Sequence, residues 1–232
     1  MPNLKLSFFP GTSAQVALIG LEQSGAAFET ALINFAIGEQ RSPGYLLTNP
    51  KGKVPTLQID GRALTENIAI LTWLSRTYPQ AGLLPLGREL QEEVDALSDL
   101  SWCASTIHPI VTRLVLPQLF CDSEHAAPRV RELASEAMHW NARLLEQRLS
   151  AQSWMLCTWS VVDAYVQWIW EQSALAGFDT ADYPHLQAHA ARHREQPAVQ
   201  RALARERAAF DWLAAQGFAI GPPKGPAAGA PR

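Results

Sequence analysis

The chain has 232 residues, of which 47% are hydrophobic and 18% are charged, which is ample for a buried core. Its formal net charge of -3 offers no cationic surplus for a phosphate backbone, which favours a small molecule over nucleic acid as the partner. The first residues lack a charged region followed by an apolar one, and no run is apolar enough for a membrane span. Three scattered cysteines without a CxxC pair predict neither a disulfide framework nor a zinc site, and they favour a reducing cytoplasm.

Short strand and helix patterns alternate over the first 82 residues. LKLSFF, residues 4–9, predicts a strand that ends at Pro10-Gly11, and apolar residues then recur at helical spacing until Gly25. FETALINF, residues 28–35, predicts a second strand. A strand, a helix and a strand within so few residues predict a right-handed βαβ unit with parallel neighbouring strands.

The segment NPKGKVPTLQIDGRALTENIAI, residues 49–70, predicts a hairpin followed by a helix. Pro55 stands at the start of a strand, where its missing N–H costs least. Asp60-Gly61 is a dipeptide preferred in two-residue hairpin turns, because both positions need a positive φ. Thr65 is expected to cap the next helix through its hydroxyl.

The same segment suggests a site for an extended peptide. The Val54-Pro55 bond is a candidate cis peptide, and Val54 could pair its N–H and C=O with a peptide backbone. The helix that follows would offer unpaired amides to a carboxylate, and Glu66 could accept from an ammonium group. These features together predict a small zwitterionic peptide as ligand.

Helical periodicity dominates the rest of the chain. We predict a first domain over residues 1–82, an all-helical domain over residues 88–215 and a disordered Gly/Pro-rich tail over residues 216–232. Prolines are expected to interrupt these helices at Pro109, Pro117, Pro128, Pro184 and Pro197.

NPKGKVPTL followed by LTENIAILTWL resembles the peptide-binding segment of the cytosolic glutathione S-transferases, of the bacterial beta-, theta- or zeta-like kind. The resemblance continues through WCASTIHPIV, SVVDAYV and the closing helices from residue 183 to 204. It implies an α/β thioredoxin-like N-terminal domain followed by an all-α helical-bundle C-terminal domain. It also implies a cytoplasmic homodimer, active in detoxification, with glutathione as co-substrate and no metal.

The resemblance assigns the tripeptide site residue by residue. Val54, ahead of Pro55, is implied to pair with the cysteinyl backbone of glutathione, and Lys53 to lie near a carboxylate. Glu66 and Asn67 are implied to hold the γ-glutamyl end, although the family more often has serine where Asn67 stands. Ordinary helix N-terminal chemistry is the alternative interpretation of both residues.

A hydroxyl at the start of the first helix could stabilise the thiolate of glutathione. PGTSAQ directly follows the first strand, where the family keeps its catalytic residue, and Ser13 is the first choice with Thr12 as its rival. The alternative is that either hydroxyl merely caps the helix. Because neither position is a cysteine, transferase chemistry is favoured over thiol-disulfide exchange.

Residues near the first long helix could contribute to the pocket of a hydrophobic electrophile. His108 matches a histidine near the active site of bacterial members, but a hydrogen-bonded structural histidine before a proline kink is the favoured interpretation. Trp102 and Thr106 share its helical region and could line the pocket, although core packing explains these two equally well. Three histidines spaced by four residues share one helical face, yet no acid or cysteine accompanies them to complete a metal site: His185, His189 and His193.

The sequence therefore predicts a transferase that joins the glutathione thiolate to an electrophilic small molecule. A non-catalytic protein that binds glutathione or hydrophobic ligands, or an interaction module on the same fold, remains the alternative.

Overall fold

The structure, a computed structural model, describes residues 2–87 and 89–218. Contacts divide it into two compact units. The first contains the described residues up to Leu97 together with those from Arg194 onward, and the second is Ser98–His193. The predicted domain boundaries near residues 82 and 88 remain predictions, and residues 219–232 of the predicted tail lie outside the described residues.

A four-stranded sheet in the order β2-β1-β3-β4 forms the base of the first unit. β1 and β2 are parallel, as the βαβ pattern predicts, whereas β3 is antiparallel to both β1 and β4. The strands are β1 (Leu4–Phe8), β2 (Glu29–Leu32), β3 (Thr56–Ile59) and β4 (Arg62–Thr65).

The hairpin between β3 and β4 forms as its turn sequence predicts. Asp60 and Gly61 have φ values of 49° and 85°, which are the positive angles that such a turn requires. The turn fixes the register in which Thr56 faces Thr65.

Helices account for most of the remaining chain. In chain order they are α1 (Ala14–Ser24), α2 (Pro43–Thr48), α3 (Asn67–Thr77), α4 (Leu90–Ser101), α5 (His108–Val115), α6 (Ala127–Ala151), α7 (Val161–Leu175), α8 (Pro184–Arg194) and α9 (Pro197–Ala215). α1 ends where predicted, at Gly25 with a φ of 69°, and packs against α3 and α9 within the first unit. No helix among those described is both long and apolar enough to cross a membrane.

Prolines shape the helical unit in two ways. Pro128, Pro184 and Pro197 stand in the first turns of α6, α8 and α9, where a missing N–H is harmless. The predicted interruption at Pro109 takes another form, because a π-helical turn over Trp102–Ile107 joins α4 to α5. Such a turn widens the helix ahead of the proline ring.

α7 begins with a capping box formed by Ser160 and Asp163. The carboxylate of Asp163 accepts from both the N–H and the hydroxyl of Ser160, and it also accepts from the N–H of Met155. His189 of α8 completes this buried cluster, with its Nε2 2.9 Å from Asp163 Oδ1.

Candidate active site

Three segments of the predicted peptide site converge at one end of the sheet. The register pairs Ser7 of β1 with Thr56 of β3, and Thr56 with Thr65 of β4. Because β1 and β3 are antiparallel, the residues after Ser7 lie level with those before Thr56. The loop that leads into α1, the bend at Val54 and the start of α3 therefore meet at this end.

The bend at Lys53 and Val54 is supported by a buried hydrogen-bond network. The Lys53 carbonyl accepts from Tyr45 Oη and from Asn49 Nδ2, both at 2.7 Å. Both side chains also contact Thr56 Oγ1, at 3.0 Å and 2.9 Å respectively. Sequence reasoning missed Tyr45, Asn49 and Thr56, because local spacing does not show that a loop residue is buried.

Val54 leaves both of its main-chain groups available. Within residues 2–87 and 89–218 neither its N–H nor its C=O forms a hydrogen bond, and the residue is half-buried. The Val54-Pro55 peptide bond is cis, as predicted. The Lys53 side chain is exposed and forms no ion pair within that part of the chain. The bend thus presents one free peptide edge beside a cationic side chain.

The predicted helix cap at Thr65 is wrong. Thr65 is the last residue of β4, and its backbone is committed to the pair with Thr56. Glu66 takes the N-cap position instead, with a φ of 74° and no side-chain capping bond. A positive φ is costly for a residue with a side chain and is frequent at ligand sites. The first bond of α3 runs from the Ile70 N–H to the Glu66 carbonyl, so the three preceding amides have no intrahelical partner.

Glu66 pairs with a lysine that sequence reasoning did not single out. Lys51 Nζ lies 2.5 Å from Glu66 Oε1 and 3.0 Å from Thr65 Oγ1. Both charged side chains are more than half exposed, at 51% and 65%, so the pair is weak. A ligand ammonium can therefore compete for the Glu66 carboxylate.

Asn67 connects the start of α3 to the loop that leads into α1. Its Nδ2 donates to the backbone carbonyl of Ser13 at 2.9 Å. The residue is 7% exposed, and its Oδ1 has no hydrogen-bond partner in the described residues. Its predicted contact with a ligand remains a prediction, whereas its link to Ser13 is a feature that the sequence did not reveal.

The structure separates the two hydroxyl candidates. Thr12 Oγ1 donates to the Phe9 carbonyl at 2.6 Å and receives the N–H of Ala14 at 3.4 Å, so its proton is committed to the loop. Ser13 occupies the N-cap position of α1, and its hydroxyl makes no capping bond and no other hydrogen bond within the described chain. The capping role thus falls to Thr12, and Ser13 keeps a donor at the positive end of the α1 dipole.

A buried carboxylate from α9 supports the same loop. Glu206 accepts from the Gly11 N–H at 2.9 Å and from Gln15 Nε2 at 2.5 Å. The neighbouring Arg201 and Arg205 both bond to Glu22 of α1, and their side chains stay 53% and 42% exposed. Sequence reasoning missed Glu206, because a carboxylate among arginines is ordinarily exposed.

The candidates for the second-substrate pocket lie in the helical unit. His108 Nδ1 lies 2.9 Å from Tyr165 Oη, and its ring packs edge-on against Trp168. Trp102 Nε1 donates to Asn141 Oδ1 at 3.0 Å, and Thr106 is exposed. The alternative of a hydrogen-bonded structural histidine therefore has support, and the role of these residues toward a substrate remains a prediction.

The histidines of α8 are not arranged as a metal site. His189 bonds to Asp163, His185 is exposed, and His193 is buried with both ring nitrogens unpartnered among residues 2–87 and 89–218. No group of three or more potential metal ligands occurs in the described residues.

Burial raises the pKa of the Cys103 thiol far above its usual range, so this thiol stays protonated.

The first unit has a thioredoxin-like sheet, and at one end of it lie the peptide edge of Val54, the start of α3 and the Ser13 hydroxyl, all without a hydrogen-bond partner in the described chain. Residues 2–76 match the family model described as "Glutathione S-transferase, N-terminal domain". A maleylacetoacetate isomerase of Pseudomonas aeruginosa is 32% identical over 154 residues, which is 64% of this chain and 70% of the relative. Glutathione S-transferase GstA of Escherichia coli O157:H7 is 27% identical over 209 residues, which is 88% and 98% of the two chains.

Solved structures agree with these relatives. The bacterial beta class glutathione S-transferase of Sphingomonas chungbukensis is 31% identical with a TM-score of 0.77, covering 87% of this chain and 98% of that one. A glutathione transferase homologue from Sulfitobacter, solved with bound glutathione, is 26% identical with a TM-score of 0.80, covering 88% and 99%. The chain belongs to the glutathione S-transferase family.

Proposed function

We propose that the protein binds glutathione along the bend at Val54 and transfers its thiolate to an electrophilic carbon of a small hydrophobic molecule. The observation that carries this proposal is the pair of neighbouring hydroxyls at the start of α1. Thr12 satisfies the loop, while Ser13 keeps an uncommitted donor beside the helix N-terminus. A donor without a structural task, at the end of the sheet where the peptide edge is free, supports a role toward a ligand.

The ligand's functional groups complement the groups that the structure leaves unpaired. The main chain of the cysteinyl residue can exchange two hydrogen bonds with Val54, and the γ-glutamyl carboxylate suits the free amides at the start of α3. The γ-glutamyl ammonium suits Glu66, and Lys53 is available for the glycyl carboxylate.

Ser13 has a chemical task in this arrangement. A cysteine-like thiol has a pKa of about 8.5, so little of it is thiolate at neutral pH. A hydroxyl that donates to the thiolate, together with the α1 dipole, favours the charged form. The thiolate then attacks the electrophilic carbon, a carbon–sulfur bond forms, and the leaving group departs with the electrons of the bond that breaks.

Titration calorimetry with glutathione, followed by turnover of an activated aryl chloride with glutathione, tests this proposal. We expect one tripeptide site per chain, release of chloride and formation of a thioether. Ser13→Ala should retain binding and lose most turnover, because the hydroxyl acts on the thiolate and not on the peptide backbone. Absence of glutathione binding would contradict the proposal outright.

Binding without turnover would support the alternative of a glutathione carrier or an interaction module. In that case Ser13→Ala would change neither the affinity for glutathione nor the pKa of the bound glutathione thiol. The comparison of the two readouts in one variant therefore separates an enzyme from a binding protein.

Isomerisation is a second candidate, favoured by the similarity to enzymes named maleylacetoacetate isomerase. A thiolate that adds reversibly to an activated double bond allows rotation and is then expelled, so glutathione is regenerated. Conjugation consumes glutathione, whereas isomerisation of a cis-enone acid leaves its concentration constant. Measurement of total thiol during turnover distinguishes the two reactions.

We expect a homodimer, as in the family. Leu133, Trp140 and Leu144 lie at helical spacing along α6 and are 48%, 66% and 43% exposed, which suits contact with a second copy. Sedimentation of the wild type and of Trp140→Glu tests this expectation, because a charge there should favour the monomer. The cytoplasmic location remains a prediction.

A further inference from the structure

Asn67 is a buried polar side chain of the first unit in which one polar atom is hydrogen-bonded and the other is not. Its Nδ2 donates to the Ser13 carbonyl at 2.9 Å, while its Oδ1 has no partner among residues 2–87 and 89–218. The residue is 7% exposed, so water satisfies the oxygen poorly. The amide cannot be reversed, because that would point Oδ1 at another acceptor, the Ser13 carbonyl.

The partner of Asn67 is the residue whose hydroxyl we assign to the thiolate. Ser13 stands at the N-cap of α1, with its carbonyl held by Asn67 and by the Val16 N–H at 3.2 Å. Its own hydroxyl makes no hydrogen bond within the described residues. The direction of the Ser13 side chain is therefore set through its backbone, and Asn67 is a side chain that acts on that backbone.

Asn67 also belongs to the helix start where the γ-glutamyl end is proposed to bind. It is the first residue of α3 and follows Glu66, whose φ of 74° turns the chain at this point. A buried acceptor without a partner at such a position requires a donor, and the ammonium or amide N–H groups of the γ-glutamyl residue are donors.

We propose that Asn67 is a positioning residue that couples occupation of the tripeptide site to the placement of Ser13, holding the Ser13 carbonyl through Nδ2 and accepting from the ligand through Oδ1. This inference rests on the proposed function. A serine at this position, as the family more often has, is shorter by one bond and cannot maintain both contacts. A substitution of residue 67 should therefore change the pKa of the bound glutathione thiol more than it changes the affinity for glutathione.

The test is a double-mutant cycle between residues 67 and 13, read out as the pKa of the bound glutathione thiol by thiolate absorbance. Asn67→Ala should raise this pKa by about one unit, a tenfold loss of thiolate at neutral pH, because Ser13 is no longer held. In the Ser13→Ala background the same substitution should cause no further rise, since the hydroxyl that it positions is gone. Asn67→Ser, which keeps a polar side chain, should raise the pKa similarly with only a few-fold loss of glutathione affinity.

Ser75→Ala is the matched control. Ser75 lies in the same helix, is buried, and donates one side-chain hydrogen bond to the Leu71 carbonyl at 2.8 Å. Its removal should cost stability comparably without moving the thiol pKa. A merely structural role of Asn67 would give it the behaviour of Ser75.

The outcomes separate the two proposals. A rise of the thiol pKa on Asn67→Ala that is equally large with Ser13 and with Ser13→Ala would overturn the inference while the proposed function stands. No rise on Asn67→Ala when Ser13 is present would overturn it in the same way. An unchanged thiol pKa in Ser13→Ala itself would overturn the catalytic assignment and the inference with it. Failure of the wild type to bind glutathione would overturn both the proposed function and the inference about Asn67.

Discussion

Two buried polar clusters, one in each unit, differ in how fully their groups are paired. In the helical unit, Asp163 accepts four hydrogen bonds and links the start of α7 to His189 of α8. At the end of the sheet, the hydroxyl of Ser13, the main-chain groups of Val54 and the Oδ1 of Asn67 have no partner in the described chain.

This difference indicates which cluster is structural and which is prepared for a ligand. Buried polar groups are costly unless they are paired, so a saturated cluster contributes to stability. A cluster that leaves several donors and acceptors unpaired at the surface end of a sheet gives up stability that a ligand can restore. We therefore expect substitutions in the first cluster to affect unfolding and substitutions in the second to affect the bound thiol.

Asp163→Ala should have the largest effect, a loss of about 3–5 kcal/mol in the free energy of unfolding, because it leaves buried donors without an acceptor. Urea denaturation of the purified protein measures it. Asp95→Ala is the control, since Asp95 is exposed and, among the residues that the structure describes, bonds only to Gln91; its removal should cost under about 0.5 kcal/mol. Equal stabilities of the two variants would contradict the assignment of a structural cluster.

The pH dependence of stability should reveal His193, which lies beside that cluster. Burial, and to a lesser degree the neighbouring His189, lowers the pKa of His193 from 6.5 to about 3. As the pH is lowered, His193 is therefore protonated in the unfolded state before it is protonated in the folded state. The free energy of unfolding falls below pH 6.5 by about 1.4 kcal/mol per pH unit, down to about pH 3. Near pH 4.5 the loss amounts to about 3 kcal/mol.

His193→Phe removes this titration and keeps an aromatic ring against Trp159. As the pH falls below 6.5, the unfolding free energy of the variant should increasingly exceed that of the wild type. Above pH 6.5 the unfolding free energies of the two proteins should change with pH in the same way. Denaturation curves at several pH values test this. Parallel curves for the two proteins across the acid range would show that His193 does not titrate as its burial requires.

Asn49→Ala should affect both kinds of property, because Asn49 is fully paired and yet supports the free peptide edge. Loss of its bonds to the Lys53 carbonyl and Thr56 should cost about 1–3 kcal/mol of stability. It should also weaken glutathione binding about tenfold, because the bend at Val54 is less well held. Calorimetry and urea denaturation of the same variant test both parts. An unchanged affinity for glutathione would show that the hydrogen bonds of Asn49 do not support the binding site.

Thr12→Val should have a smaller effect, confined to stability. Loss of the hydrogen bond to the Phe9 carbonyl should cost about 1 kcal/mol. Ser13→Ala should cost under about 0.5 kcal/mol, because its hydroxyl makes no hydrogen bond within residues 2–87 and 89–218. Thermal unfolding of the two variants checks this order, and the reverse order would reassign the cap to Ser13.

The sequence predicted the local elements of the site better than the links between them. The strand after Pro55, the turn at Asp60-Gly61 and the parallel β1–β2 pair depend on nearby residues and were confirmed. The cap at Thr65 was wrong, because pairing with Thr56 across the hairpin commits that residue to the sheet.

The contacts that hold the site join residues far apart in the chain. Asn67 reaches Ser13 across 54 positions, and Glu206 reaches Gln15 across 191. No periodicity or short motif encodes such pairs, because they form only when the sheet, α3 and α9 have assembled. The different hydrogen bonding of Thr12 and Ser13 likewise depends on the direction of each hydroxyl, which the sequence does not give.

The most direct measurement is the pKa of the glutathione thiol when bound to the wild type, to Ser13→Ala and to Thr12→Val. We expect Ser13→Ala to raise it by about 1–2 units and Thr12→Val to leave it within about 0.3 units, because only the Ser13 hydroxyl is uncommitted. A shift confined to Thr12→Val, or bound glutathione with the same thiol pKa in all three proteins, would contradict the account.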